Sequence, residues 1–104
     1  MNHLQVTARL KVHDGKLNEF KELAIQCFTA AKEKDTETLQ YDWFFSEDQT
    51  EFVVRERYTD SNAVFAHLAN LGDLFGKILQ VSDFSVEVYG NASQDLRDAT
   101  ASMN

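Results

Sequence analysis

The sequence predicts an α+β protein in which strands and helices follow one another in the order β-α-β-β-α-β. Four segments alternate apolar and polar residues, as strands do because successive side chains point to opposite faces. Two segments between them repeat apolar residues at three- and four-residue steps, which is the spacing of an amphipathic helix. The chain has 104 residues, 43% of them hydrophobic, which is enough for a single domain with its own core.

The first strand is predicted from His3 to His13. Its apolar face carries Leu4, Val6, Ala8, Leu10 and Val12. Asp14 and Gly15 end the strand, and the Asp14 carboxylate is predicted to cap the following helix by accepting from its free N–H groups. That helix is predicted from Lys16 to Lys34, with one apolar stripe made by Leu17, Phe20, Leu23, Ala24, Cys27, Phe28 and Ala31.

A β-hairpin is predicted from Leu39 to Tyr58. One face carries Leu39, Tyr41, Trp43 and Phe45 on the first strand, and Phe52, Val54, Glu56 and Tyr58 on the second. The polar turn from Glu47 to Thr50 lacks glycine, which favours a four- or five-residue loop over a two-residue turn. Phe44 and Val53 fall on the opposite face, so both faces of the sheet are predicted to be covered. The chain has few helices, so the second cover is predicted to be another copy of itself.

A second helical region is predicted from residue 61 to 80, capped by Asp60 or Ser61 and broken or kinked at Gly72. The last strand is predicted from Asp83 to Tyr89. The domain then covers residues 4–90, and the small polar residues of the tail, 91–104, are predicted to be loosely held. This order of elements is that of the ferredoxin-like fold, an antiparallel sheet with its helices on one face.

Composition excludes several classes of function. The net charge of −7 disfavours nucleic-acid partners, which need a basic face. A single cysteine, Cys27, rules out an internal disulfide and is consistent with a reducing compartment. No segment has membrane-spanning length or the layout of a signal peptide, so a cytoplasmic location is predicted. His3, His13 and His67 lack metal-ligand spacing, and no glycine-rich loop precedes a helix, so no metal or nucleotide site is predicted.

One segment resembles a known family. Glu56 to Leu68 reads Glu-Arg-Tyr-Thr-Asp-Ser-Asn-Ala-Val-Phe-Ala-His-Leu, which is similar to the pattern of the antibiotic biosynthesis monooxygenase domain family: Glu, any residue, an aromatic, a short turn, then a helix with Ala and His-Leu. The strand Val6 to Val12, the helix with Phe20 and the segment Leu39-Gln-Tyr41 match as well, over residues 4 to 90. The family includes quinol monooxygenases. The resemblance implies a homodimeric α+β barrel that oxidises aromatic substrates without a metal or flavin.

The resemblance carries over His67 first, with Glu56 and Tyr58 beside it. His67 follows Ala63 and Val64 by one helical turn, so it is predicted to face the sheet. There a neutral imidazole could take the proton of a phenol. The resemblance implies that the resulting anion then passes an electron to dioxygen. The alternative is a core histidine satisfied by a carboxylate such as Glu56.

The remaining predicted site residues are aromatic or polar. His67 and Tyr58 form the predicted catalytic pair; family members often have Trp at the position of Tyr58. The predicted substrate-binding residues are Trp43, Tyr41, Glu56 and Asn70. Stacking on a flat substrate is the role expected of the aromatics, and their alternative role is core and dimer packing. For Asn70, the alternative is an exposed position without function.

Three functional hypotheses follow. The first is a cofactor-free monooxygenase acting on a small phenol or quinol, active as a homodimer paired through the sheet face. The second is a non-catalytic barrel that binds a small hydrophobic ligand, as in a stress response, because no paired acid and base are visible in the sequence. The third is a haem-binding relative using His67, which would show a Soret band on haem titration that His67→Ala removes.

Overall fold

A computed structural model describes residues 3–104 and contains one sheet and four helices within that range. The strands are β1 (Leu4–Val12), β2 (Thr38–Phe45), β3 (Glu51–Tyr58) and β4 (Ser82–Tyr89). The helices are α1 (Leu17–Lys34), α2 (Ser61–Leu71), α3 (Asp73–Leu79) and α4 (Gln94–Ala101). None of the helices in this part of the chain combines the length and apolar character needed to cross a membrane.

The four strands lie in the order β2-β3-β1-β4, and every neighbouring pair is antiparallel. This confirms the predicted ferredoxin-like arrangement. The alternating residues of β1 predicted to face the core are buried from Leu4 through Leu10. The core therefore lies between one face of the sheet and the helices, as the period-two pattern indicates.

Helix α1 packs on the hairpin through Phe20, which is fully buried and has its ring centroid 4.7 Å from that of Phe52. The prediction that Asp14 caps this helix is wrong. The cap position is Lys16, which makes no side-chain capping bond. The chain turns tightly here, with the Lys16 N–H donating to the His13 carbonyl at 3.0 Å. This turn leaves Asp14 two residues before the cap, outside the position from which a carboxylate caps a helix.

The hairpin connection spans residues 46–50, in agreement with the predicted longer loop. Asp48 organises it, because its Oδ1 accepts from the Ser46 hydroxyl at 2.8 Å and from the Thr50 N–H at 3.1 Å. Leu39 departs from the predicted alternation. The pairing with β3 shifts between Thr38 and Gln40, and Leu39 is 50% exposed. A bulge at this point takes Leu39 out of the core face.

The second helical region is broken at Gly72, as predicted. Gly72 has a positive φ of 54°, which glycine adopts without steric cost, and it separates α2 from α3. Asp60 caps α2 by accepting from the Ala63 N–H at 2.9 Å. Leu71 and Ile78 are buried on either side of the break, so the kink keeps both short helices packed on the sheet.

The tail is not loosely held, contrary to the prediction. Ser93 caps helix α4 by accepting from the Leu96 N–H at 3.2 Å, and Leu96 is fully buried in a cluster with Leu4 and Val64. The Asn104 side chain pairs with the backbone N–H and carbonyl of Val86, at 2.8 and 3.0 Å. Leu96 is a single large apolar residue among small polar neighbours, so the sequence shows no helical periodicity here. Its burial is nevertheless sufficient to anchor a short helix.

The outer face of the sheet is mainly polar. Its exposed residues include the cations Arg9, Lys11, Arg55 and Arg57. Phe44 and Val53 lie on this face, as predicted; they pair with each other across β2 and β3, and Phe44 is 55% exposed. Tyr89 is a third residue with exposed apolar area on this face, and it is 58% exposed. The apolar area that was expected to require a covering partner is therefore restricted to patches on this face.

Candidate functional site

A cavity lies between the sheet and the helices. Its volume is about 60 Å³, and its walls come from β1, β2, β3, β4, all four helices and residue 103. Most of the lining is aliphatic. The chemically distinctive lining residues are Cys27, Tyr41, Trp43, Glu56, His67 and Thr100. No lysine or arginine is among the described residues that line it, so a bound anion would find no counter-charge there.

His67 is held by Asp35. Both side chains are buried, at 4% and 5% exposure, and Nδ1 of His67 lies 2.6 Å from Oδ2 of Asp35. Asp35 also accepts from the Thr38 hydroxyl at 2.7 Å and from the Asn70 amide at 2.8 Å. A carboxylate beside Nδ1 places the proton on that nitrogen, which leaves the lone pair on Nε2. Nε2 of His67 makes no hydrogen bond to any of residues 3–104.

The protonation states of this pair follow from their surroundings. Burial opposes the charge of Asp35, but the hydrogen bonds from Asn70, Thr38 and His67 outweigh it and lower the pKa of Asp35. Burial also lowers the pKa of His67, and Asp35 only partly offsets this. Near neutral pH the pair is therefore an aspartate and a neutral imidazole, which is the form of histidine that accepts a proton.

Glu56 is the second titratable group of the cavity. It is 8% exposed, and the Tyr58 hydroxyl donates to its Oε1. Burial raises the pKa of Glu56 to about 7, the charge of Asp35 acts in the same direction, and the Tyr58 hydrogen bond partly opposes the rise. The carboxyl group therefore exchanges its proton within the physiological range.

Aromatic rings surround His67. The Tyr41 ring centroid lies 4.8 Å from that of His67, edge-on, and the Tyr58 centroid lies 5.6 Å away. Trp43 packs edge-on to Tyr41 at 6.1 Å. Its Nε1 is fully buried and has no hydrogen-bond partner among residues 3–104. Burial raises the pKa of Cys27 to about 11, so its thiol stays protonated and poorly nucleophilic.

Trp43 also borders an outer groove between α1 and the hairpin. This groove has a volume of about 340 Å³, and its other walls include Ile25, Phe28, Phe45 and Phe52. Ile25 and Phe45 are 66% and 60% exposed. Trp43 thus separates a small inner cavity from a larger, open and apolar surface.

The structure brings four of the predicted site residues together on the cavity wall: Tyr41, Trp43, Glu56 and His67. Tyr58 is fully buried behind them, where it holds Glu56. Asn70 lies on the Asp35 side of His67, in a groove outside the cavity lining. The alternative prediction for His67 was a core histidine satisfied by a carboxylate such as Glu56; the carboxylate that contacts it is that of Asp35. Asp35 was missed because it sits in a polar connection 32 positions before His67, and local pattern gives no sign of such a contact.

Fold and cavity together define the class: a ferredoxin-like α+β domain with an internal, largely apolar cavity that carries titratable groups. The model of the antibiotic biosynthesis monooxygenase family matches residues 4–72. The chain belongs to this family.

Solved structures show the same fold. MupZ from Pseudomonas fluorescens is 22% identical, with a TM-score of 0.76 over 95% of this chain and 75% of that chain. Rv0793 from Mycobacterium tuberculosis is 20% identical, with a TM-score of 0.75 over 88% of this chain and 97% of that chain. A conserved protein from Methanosarcina mazei is 17% identical, with a TM-score of 0.76 over 88% and 94%. No curated protein matches the sequence.

Proposed function

We propose that this protein is a cofactor-independent monooxygenase that oxidises a small phenol or quinol with dioxygen, and that His67 accepts the substrate proton. The observation that carries the proposal is the state of His67. It is a neutral imidazole on the wall of an apolar cavity, with Nδ1 engaged by Asp35 and Nε2 left as the proton acceptor. Family membership supports the class of reaction.

The proposed reaction needs no external reductant. The O–H bond of the phenol breaks, its proton goes to Nε2 of His67, and the electron pair stays on the phenolate oxygen. The phenolate donates one electron to dioxygen, and the two radicals combine to form a C–O bond. The peroxide anion formed in this way takes the proton back from His67. Cleavage of its O–O bond together with the C–H bond at the same ring carbon then releases water and leaves a quinone, so that phenol and dioxygen become quinone and water. Tyr41 and Trp43 flank the ring, and Tyr58 orients the polar groups through Glu56.

The cavity must enlarge to admit such a substrate. Its volume of about 60 Å³ is well below the ~150 Å³ of an engineered cavity that binds benzene. Helix α4 and residue 103 contribute Leu96, Thr100 and Met103 to the wall. In this proposal α4 shifts on binding, because it is a single short helix that supplies part of the cavity wall; the Asn104 contacts with Val86 keep its end against β4.

Dioxygen consumption with a panel of hydroquinones and naphthols tests the proposal. His67→Ala should slow the reaction by about 10²–10⁴-fold, the usual contribution of a general base. His13→Ala is the matched control, since His13 is also bonded to an aspartate, Asp83 at 2.8 Å, but on the exposed surface. Equal and slow rates for wild type and His67→Ala on every compound would overturn the proposal.

The second candidate function is non-catalytic binding of a small hydrophobic ligand. The outer groove beside Trp43 favours it, because this groove is larger than the inner cavity and is lined by exposed apolar residues. Thermal stabilisation by aromatic ligands without any dioxygen consumption would support binding alone. Substituting Phe45→Ser in the groove should then abolish the stabilisation, whereas His67→Ala should leave it intact.

The monooxygenase proposal also includes two further points: the protein forms a homodimer through the outer face of the sheet, and it is located in the cytoplasm. Phe44, Val53 and Tyr89 supply apolar contacts at that face, and the surrounding arginines supply polar ones. A dimer held by this face would leave the cavity on the opposite side of each sheet open to substrate.

A further inference from the structure

Glu56 occupies the middle of the sheet on its helix-covered face. It pairs with Val6 on β1 and with Tyr41 on β2, and it lines the cavity. At 8% exposure it is a carboxyl group almost removed from water. Burying a carboxylate is unfavourable unless several donors or a cation compensate it, so its partners decide its chemistry.

Hydrogen-bond donors compensate the charge of the Glu56 carboxylate only in part. One side-chain donor, the Tyr58 hydroxyl, reaches Oε1, and no donor among residues 3–104 contacts Oε2. Tyr58 lies two residues further along the same strand, so the hydrogen bond fixes the carboxyl group from behind. Oε2 therefore remains the atom with free lone pairs.

The neighbours that face Glu56 supply no positive charge at neutral pH. They are Tyr41 from β2, Tyr58 from β3, Cys27 from α1, His67 from α2 and Asp35 from the connection after α1. The tyrosines and the cysteine remain protonated, because burial raises the pKa of each. Asp35 is anionic, and its charge raises the pKa of Glu56 further. The carboxylate form of Glu56 is therefore an unusually strong base for its type.

We propose that Glu56 is a second proton acceptor of the cavity, acting on ligands that enter uncharged and carry an aromatic hydroxyl. In this step the ligand O–H bond breaks, the proton moves to Oε2 of Glu56, and the electron pair stays on the ligand oxygen as a phenolate. No oxidation or reduction takes place. Tyr58 is a positioning residue for Glu56. The inference rests on the proposed function only in using the same cavity.

The charge of the cavity sets the class of ligand. Asp35 is negative, and no lysine or arginine lines the walls in the described part of the chain. A carboxylate or phosphate ligand would meet repulsion without a counter-ion. A neutral phenol avoids this cost on entry and becomes an anion only when its proton passes to the protein.

Binding of 4-nitrophenol tests the step without any oxidation, because its phenolate absorbs visible light and the neutral phenol does not. With the protein in excess, part of the phenol bound to wild type should be phenolate, and this fraction should change little with pH because the proton stays in the cavity on Glu56. In Glu56→Gln the proton must leave for the solvent, so the phenolate fraction should instead rise about tenfold per pH unit below the pKa of the bound phenol. Tyr58→Phe should increase the pH-independent fraction, since loss of the Tyr58 hydrogen bond makes the Glu56 carboxylate more basic. Glu51→Gln, an exposed position on the same strand, should match wild type.

The different responses of Glu56→Gln and Tyr58→Phe separate proton transfer from a structural role, because mere disruption of the cavity would lower the phenolate signal in both variants at every pH. The inference is overturned if Glu56→Gln ionises the bound phenol as wild type does, if only His67→Ala removes the signal, or if wild type does not bind 4-nitrophenol. Absence of dioxygen consumption would remove the proposed function while leaving this result unaffected.

Discussion

Asp35 and His67 form a buried pair, 2.6 Å apart between Oδ2 and Nδ1, that joins the end of α1 to the middle of α2. The carboxylate has further donors in Thr38 and Asn70, so its orientation is fixed from several directions. The pair therefore does two things at once. It ties two helical segments to the hairpin side of the sheet, and it determines which nitrogen of His67 carries the proton.

Asp35→Asn should lower the rate of phenol oxidation by about 10²–10⁴-fold, comparable to His67→Ala. An amide donor beside Nδ1 favours the tautomer with its proton on Nε2, which then cannot accept the substrate proton. The measurement is kcat and KM from dioxygen consumption, and the loss should fall on kcat. Asp83→Asn, which alters the exposed His13 pair, should leave kcat unchanged. Full activity in Asp35→Asn would show that Asp35 does not control the state of His67.

Glu56→Gln should make the protein more stable than wild type as pH rises. Folding raises the pKa of Glu56 from 4.5 to about 7. The stability that the protonated Glu56 side chain contributes is therefore fully present below pH 4.5 and is lost as pH rises through 7. A pKa shift of this size means that, above pH 7, the free energy of unfolding of Glu56→Gln exceeds that of wild type by on the order of 3 kcal/mol. Urea unfolding across the pH range measures it. Glu51→Gln should track wild type, and a pH-independent difference for Glu56→Gln would contradict the prediction.

Leu96→Ala should lower the free energy of unfolding by about 2–5 kcal/mol, because Leu96 is fully buried. Arg97→Ala, an exposed neighbour on the same helix, should change stability by about 0.5 kcal/mol or less. Chemical unfolding followed by tryptophan fluorescence compares the two, since Trp43 is the single tryptophan. Similar small effects for both variants would mean that α4 is not part of the cooperatively folded unit.

Sedimentation velocity should show a dimer, and Phe44→Asp should shift it toward the single subunit. Phe44 is exposed on the outer face of the sheet beside Val53, where a carboxylate would have to be buried in the proposed interface. Phe65→Asp places the same charge on the exposed side of α2 and should leave the dimer intact. A wild-type protein that sediments as a single subunit would exclude the sheet-face dimer.

Much of the fold follows from local pattern. A few neighbouring residues encode each of its features, because backbone geometry repeats over that distance. These features are the alternation of β1 and of the hairpin, the helical period of α1 and the break at Gly72. The pattern from Glu56 to Leu68 likewise located Glu56, Tyr58 and His67 in the sequence, and the structure places all of them at the cavity or directly behind it.

Tertiary structure decided the rest. It set the bond between Asp35 and His67 and the bond from Tyr58 to the Glu56 carboxyl group. It also set the exposed bulge at Leu39 and the burial of Leu96. Each of these depends on how the helices dock on the sheet and in which register the strands pair. The chain pattern specifies which side of an element faces inward. It does not specify which inward groups meet across the core, because those contacts join residues tens of positions apart, and their protonation depends on the water that packing excludes.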